Sequence, residues 1–196
     1  MAQKTLTKTG TFGVIGQVRI RSLLARSLRA DRAAHAYLLV GPRGVGKAAI
    51  ALEYARLLLC SGDEERPCAK CEECRLSQTL QHPDLHLVFP LPPAKRKGQS
   101  DDDNGDDAES LAGGIAEITK TLARDPYAPI IVEHQSSGSR EATRSKGEPT
   151  IRIGQVRSLL HLAMLKPFQA ARKVFVILHA DTMNPNAQNA FLKVLE

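Results

Sequence analysis

Apolar positions recur along this 196-residue chain in two rhythms, one helical and one continuous. Between residues 17 and 32, Ile20, Leu23, Leu24 and Leu28 fall at helical spacing, and Arg19, Arg21, Arg26, Arg29 and Arg32 fill much of the remainder. That predicts an amphipathic helix with an arginine-rich outer side. Residues 36–40 are apolar without a break and run into a glycine-rich turn, after which residues 48–52 resume with strong helix propensity. This reads as strand, loop, helix. Residues 85–89 predict a buried strand, and the continuous apolar run at 174–178 predicts another, of the kind covered on both faces in a parallel sheet. Val156, Leu159, Leu160 and Ala163 mark another helix, which Pro167 ends. Asn184 as N-cap and Pro185 at the first helical position open a last one, with Ala187, Phe191, Val194 and Leu195 on one face. The sequence stops at Glu196 inside that helix, so the expectation is a fragment of a longer domain.

Two stretches break the rhythm. Residues 1–12 are polar and predict a flexible lead-in. Residues 91–149 shift in composition, from Pro92 and Pro93 through Lys95, Arg96 and Lys97 to Asp101, Asp102, Asp103, Asp106 and Asp107. Such a tract cannot bury a core and is expected to be mostly disordered, with one short helix where Leu111, Ile115, Ile118 and Leu122 recur. The organisation expected is therefore one α/β domain over 13–196 with an acidic insertion at 91–149.

The turn after residue 40 carries the first candidate chemistry. Gly41, Pro42, Arg43, Gly44, Val45, Gly46 and Lys47 have the G-x-x-x-x-G-K spacing of a phosphate loop. Its glycines let successive N–H groups face a phosphate, with the lysine charge beside it and a helix N-terminus behind. The next position, where a hydroxyl would ligate magnesium, is Ala48, and a methyl group cannot hold a metal. The loop can still take the phosphates of ATP or ADP through Lys47 and the backbone. Gly16 and Gln17, just before the first helix, stand where a purine would lie, although a glycine at a helix start accounts for them as well.

Cys60, Cys68, Cys71 and Cys74 form the second candidate. Four thiolates at C-x7-C-x2-C-x2-C spacing can close a tetrahedral zinc site and leave no position for water, so the metal expected is structural, within a module over 60–80. A redox dithiol is the competing reading, but it has no need of two further cysteines. His82 and His86 are candidate extra ligands of small weight.

Charge and hydropathy narrow the class further. No apolar run is long enough to span a bilayer and residues 1–5 lack the apolar core of a signal peptide, so no membrane partner and a cytoplasmic location are expected. The net charge of +6 is uneven: ten Lys/Arg against two Asp/Glu over residues 1–60, and eleven against seventeen over 61–149. A basic face near nucleic acid and a merely solvated surface both fit. At the end of the 174–178 strand, where a phosphate-loop ATPase carries two acids, stand Leu178 and His179, and Asp181 lies three residues further on. No residue is assigned a catalytic role.

One ordered set of motifs resembles a known family. Gly16 and Gln17, His35 to the phosphate loop, the four cysteines, His82-Pro83-Asp84-Leu85, Ile153-Gly154-Gln155-Val156-Arg157, then Ala180-Asp181-Thr182-Met183-Asn184 and the final helix are similar to the clamp-loader subunits of bacterial DNA polymerase III. The degraded nucleotide signatures look like its delta-prime branch more than its ATP-hydrolysing gamma/tau branch. The resemblance implies an α/β AAA+ fold, a parallel sheet flanked by helices with a zinc module inserted. It also implies partnership with gamma/tau and delta subunits, and through them with the sliding clamp and primed DNA. It matches the four cysteines to zinc ligands and places the family's trans-acting arginine, lid and collar beyond Glu196. Two other classes stay open: a self-sufficient ATPase in which Asp181 or Asp84 stands in for the missing acids, and a zinc-dependent nucleic-acid-binding module using the arginine helix. Glu72 and Glu73 count against phosphate contact by the cysteine loop itself.

Overall fold

The computed structural model describes residues 14–62, 66–91, 106–130 and 149–195. The lead-in expected at 1–12 and most of the disorder expected within 91–149 lie outside them. The elements are α1 (Val18–Arg29), α2 (Lys47–Leu59), α3 (Glu72–Gln78), β1 (Leu85–Val88), α4 (Asp106–Arg124), α5 (Ile153–Met164), β2 (Val174–Ile177) and α6 (Pro185–Leu195), with a 3-10 turn at Ala180–Thr182 before the last. The chain divides into two compact units. One comprises Met1–His86, Leu122–Ala128 and Leu165–Val176; the other comprises Leu87–Thr121, Pro129–Met164 and Ile177–Glu196.

In the first unit α1 packs on α2, as the leucine spacing of both requires. Val14, Leu24, Ala49, Ile50, Tyr54 and Leu57 form the buried cluster, with Leu28, Leu39 and Leu58 against it. Burial of each large aliphatic side chain here contributes about 2 kcal/mol. Arg21 of α1 reaches across to Glu53 of α2 at 2.8 Å, so the buried carboxylate has its counter-charge. The arginine stripe is therefore not wholly solvent-facing, since one of its members closes the helix pair.

Residues 36–40 depart from expectation. They form no strand pairing, and Leu38 and Val40 are 81% and 83% exposed while Leu39 turns inward. A segment becomes a strand only by bonding to a neighbour, and the sheet among the described residues consists of β1 and β2 alone. Those two strands are parallel. Val174 donates its N–H to the Asp84 carbonyl and Leu178 to that of Val88, both at 2.8 Å and with the same offset in sequence.

The second unit is built on α5 against α6. Ile151, Val156, Leu159 and Ala187 are buried, and isolated bridges join Leu91 to Thr150 and Ile151 to Met183. The cap read from the sequence is made: Asn184 Oδ1 accepts the Ala187 N–H at 2.8 Å.

Within the insertion, the described residues 106–130 form a helix and a turn. The helix expected there is long, 19 residues in α4, with Ile118 and Leu122 buried and Ile115 exposed; the side chain of Leu111 lies outside the described residues. A turn follows in which Asp125 Oδ1 accepts the Tyr127 N–H at 2.9 Å, its carbonyl accepts from Ala128 at 3.0 Å, and Pro126 is buried. A low-complexity stretch can still contribute a few apolar anchors, and Leu122 and Pro126 are such anchors.

Candidate nucleotide loop and metal centre

The phosphate-loop residues lead straight into α2, as the strand-loop-helix pattern requires at its helical end. Gly46 is the N-cap, with φ 89°, a left-handed conformation that glycine adopts without the Cβ clash. The Lys47 ammonium folds back and donates to the carbonyls of Gly41 and Pro42, each at 2.8 Å. Val45 offers its carbonyl to Gln17 Nε2 at 3.4 Å. Gln17 therefore lies beside the loop, and both Gly16 and Gln17 have positive φ. Ala48 is the second residue of α2 and presents no hydroxyl.

At the other end of α2 the four cysteines converge. The sulfurs of Cys60, Cys68, Cys71 and Cys74 all lie within 4.8 Å of one another, with Cys60 and Cys71 at 3.9 Å. A tetrahedral zinc with bonds of about 2.3 Å sets its sulfurs roughly 3.8 Å apart, so the set fits that ion with slight contraction. Backbone N–H groups already point at the sulfurs: Gly62 and Cys68 at Cys60, Cys71 at Cys68, and Cys74 at Cys71, at 3.3–3.4 Å. Such donors stabilise thiolate. Held by the Lys70 N–H above all, the Cys68 thiol is drawn down to about 6, whereas burial pushes Cys60 and Cys74 up. All four cysteines are free of disulfides, and α3, which carries Cys74, packs on α2. His82 and His86 do not join the cluster. His82 is buried and its Nδ1 accepts the Asp84 N–H at 3.0 Å, and His86 stacks on Phe175 with ring centroids 4.9 Å apart.

Neither acid proposed as a stand-in for the ATPase carboxylates has an evident place in such chemistry. Asp84 is fully buried, and its carboxylate accepts the N–H groups of Phe168, Gln169 and Ala170 at 2.7–2.8 Å. Burial pushes this carboxyl up, but the Ala170, Gln169 and Phe168 donors together outweigh it and leave it below the ordinary carboxylate value. It is a clamp for the loop preceding β2. Asp181 is exposed in the 3-10 turn, and Leu178, which stands in the first acid's position, is buried. Two features escaped the sequence reading. The His82-Pro83-Asp84 turn marks the place of the Asp84 clamp, but its donors lie too far along the chain for spacing to reveal them. Tyr127 had no such marker, because it sits in a tract dismissed on composition.

An α/β domain with a small parallel sheet, a glycine-rich loop at a helix N-terminus and a four-cysteine cluster is an architecture that fits the AAA+ type. Comparison with known families carries the classification further: residues 16–196 match the family described as DNA polymerase III, delta subunit, and the chain belongs to it. It is 27% identical over 180 residues to the DNA polymerase III subunit delta' of Bacillus subtilis, covering 92% of this chain and 38% of that one. It is 29% identical over 168 residues to the delta' subunit of Pseudomonas aeruginosa, covering 83% and 34%. With the tau/gamma subunit of Haemophilus influenzae it shares 43% identity, but over 76 residues, 38% of this chain. The chain thus spans little more than a third of the length of its delta' relatives. No helix among the described residues is long and apolar enough to cross a membrane.

Proposed function

We propose that this chain is part of a delta-prime-type subunit of the bacterial DNA polymerase III clamp loader, a member that assembles with gamma/tau and delta subunits and helps to place the sliding clamp on primed DNA without hydrolysing ATP itself. The observation that carries this reading is the extent of similarity: 92% of the chain aligns with a delta' subunit, against 38% with a tau/gamma subunit. Supporting it, Ala48 offers no magnesium ligand, Leu178 and His179 replace the acids of an ATPase, and Asp84 is committed to three backbone donors. Residues 41–48 are then an AAA+ phosphate loop kept as scaffold, with ATP or ADP held weakly if at all. Cys60, Cys68, Cys71 and Cys74 are the ligands of a structural zinc that staples residues 60–80 to the end of α2. A cytoplasmic location follows from that role.

The test is ATP turnover by the full-length protein, alone and mixed with an ATP-hydrolysing clamp-loader subunit, the clamp and primed DNA. No turnover alone, together with stimulation of the partner's turnover, is the expected result. Turnover by the isolated protein that disappears in Lys47→Ala would overturn the reading in favour of an ATPase.

A further inference from the structure

Tyr127 comes from the turn after α4, far from the loop in sequence, yet it touches both segments between which a nucleotide would sit. Its hydroxyl accepts the Ile15 N–H at 2.9 Å. Its ring edge lies where a side chain on Gly46 would stand: a Cβ built there meets Tyr127 Cε1 at 3.0 Å and the hydroxyl at 3.7 Å. The Asp125 turn fixes the approach of this residue through the Tyr127 N–H, and burial of Pro126 anchors it. The same two segments are joined a second time, by Gln17 Nε2 on the Val45 carbonyl. Meanwhile the Lys47 ammonium is held by Gly41 and Pro42. Residues 15–17 and the loop at 41–47 are therefore bridged by side chains of the protein, and the Lys47 ammonium is satisfied internally.

From this we infer that Tyr127 is an internal occupant of the nucleotide cleft, a clasp that keeps residues 15–17 and the phosphate loop together without nucleotide and competes with a nucleoside diphosphate or triphosphate for the same gap. The inference rests on the reading of residues 41–47 as a phosphate loop. It gives the acidic insertion a function within its own domain, since the insertion delivers the clasp. It also accounts for a retained loop sequence in a chain that lacks the metal ligand: the loop's shape serves the fold.

Binding of a fluorescent ADP analogue to the full-length protein tests it, in the wild type, Tyr127→Ala and Tyr127→Phe. An equilibrium that keeps the open cleft at about a tenth of molecules or fewer weakens apparent binding by that fraction, so removing the clasp should tighten it about tenfold. Tyr127→Phe, which loses only the bond to Ile15, should tighten it about threefold. The gain should vanish when Lys47→Ala is added. Amide exchange at residues 14–18 and 41–47, read in the same variants, separates the two ways of failing. Faster exchange in Tyr127→Ala without tighter binding would overturn the competition, whereas analogue binding that is absent, or indifferent to Lys47→Ala, would overturn the phosphate-loop reading. Unchanged exchange and unchanged or weaker binding would overturn the clasp itself. Should Tyr127→Ala fail to fold, Tyr127→Phe carries the same two readouts.

Discussion

Asp84 shows how long-range donors commit a buried carboxylate. A buried carboxylate holding three backbone N–H groups is ionised because those donors compensate its desolvation, and it has little to offer a metal or a water. Replacing it with Asn removes the charge and leaves part of the donor set unanswered, which should cost about 2 kcal/mol in a urea unfolding titration at pH 7. The sign with pH follows from the direction of the shift. The folded carboxyl is held below its unfolded value, so its contribution is fully present above about pH 4 and is lost as pH falls through the folded value. The stability difference between wild type and Asp84→Asn should therefore shrink under acid. A difference that stayed constant from pH 7 to pH 3 would mean that the three donors do not depress this carboxyl.

Helix α2 is the element on which both candidate sites depend, because the phosphate loop enters at its first turn and Cys60 follows its last. The cysteine cluster then reaches forward to α3, a helix of only seven residues with Cys71 as its N-cap. A helix so short is not stable alone, and the proposed zinc is what would hold it. Chelation of the metal should raise amide exchange across residues 60–80 and lower the melting temperature, while exchange in α5 and α6 changes little. Cys74→Ser should reduce bound zinc from about one per chain to none; undiminished zinc in that variant would take Cys74 out of the ligand set. At the other end of the chain, Asn184→Ala removes the cap of α6 and should cost about 1 kcal/mol, read from chemical unfolding.

At the scale of the molecule, residues 36–40 are the place where local pattern and observed structure part. Their apolar run is that of an inner strand, but Leu38 and Val40 face solvent and no pairing is found among the described residues. Exposed strand-forming segments invite association. The 196-residue chain should bind a hydrophobic dye and associate at high concentration, and Leu38→Thr with Val40→Thr should reduce both; a dye-silent, monomeric wild type would contradict this. What the sequence determined by itself was whatever depends on near neighbours: helices with 3.6-residue periodicity, the Asn184 cap, the glycine-rich turn into α2, and a cysteine spacing tight enough to bring four sulfurs together. Each is settled by contacts within a few turns of chain, so its signature is local. Only the tertiary structure decided where long-range partners fall. It paired β1 with β2 and left residues 36–40 without a strand partner among the described residues, committed Asp84 to donors more than eighty residues away, and carried Tyr127 to Gly46. Those outcomes depend on which surfaces remain to be covered once the local elements exist, and periodicity and spacing hold no record of that.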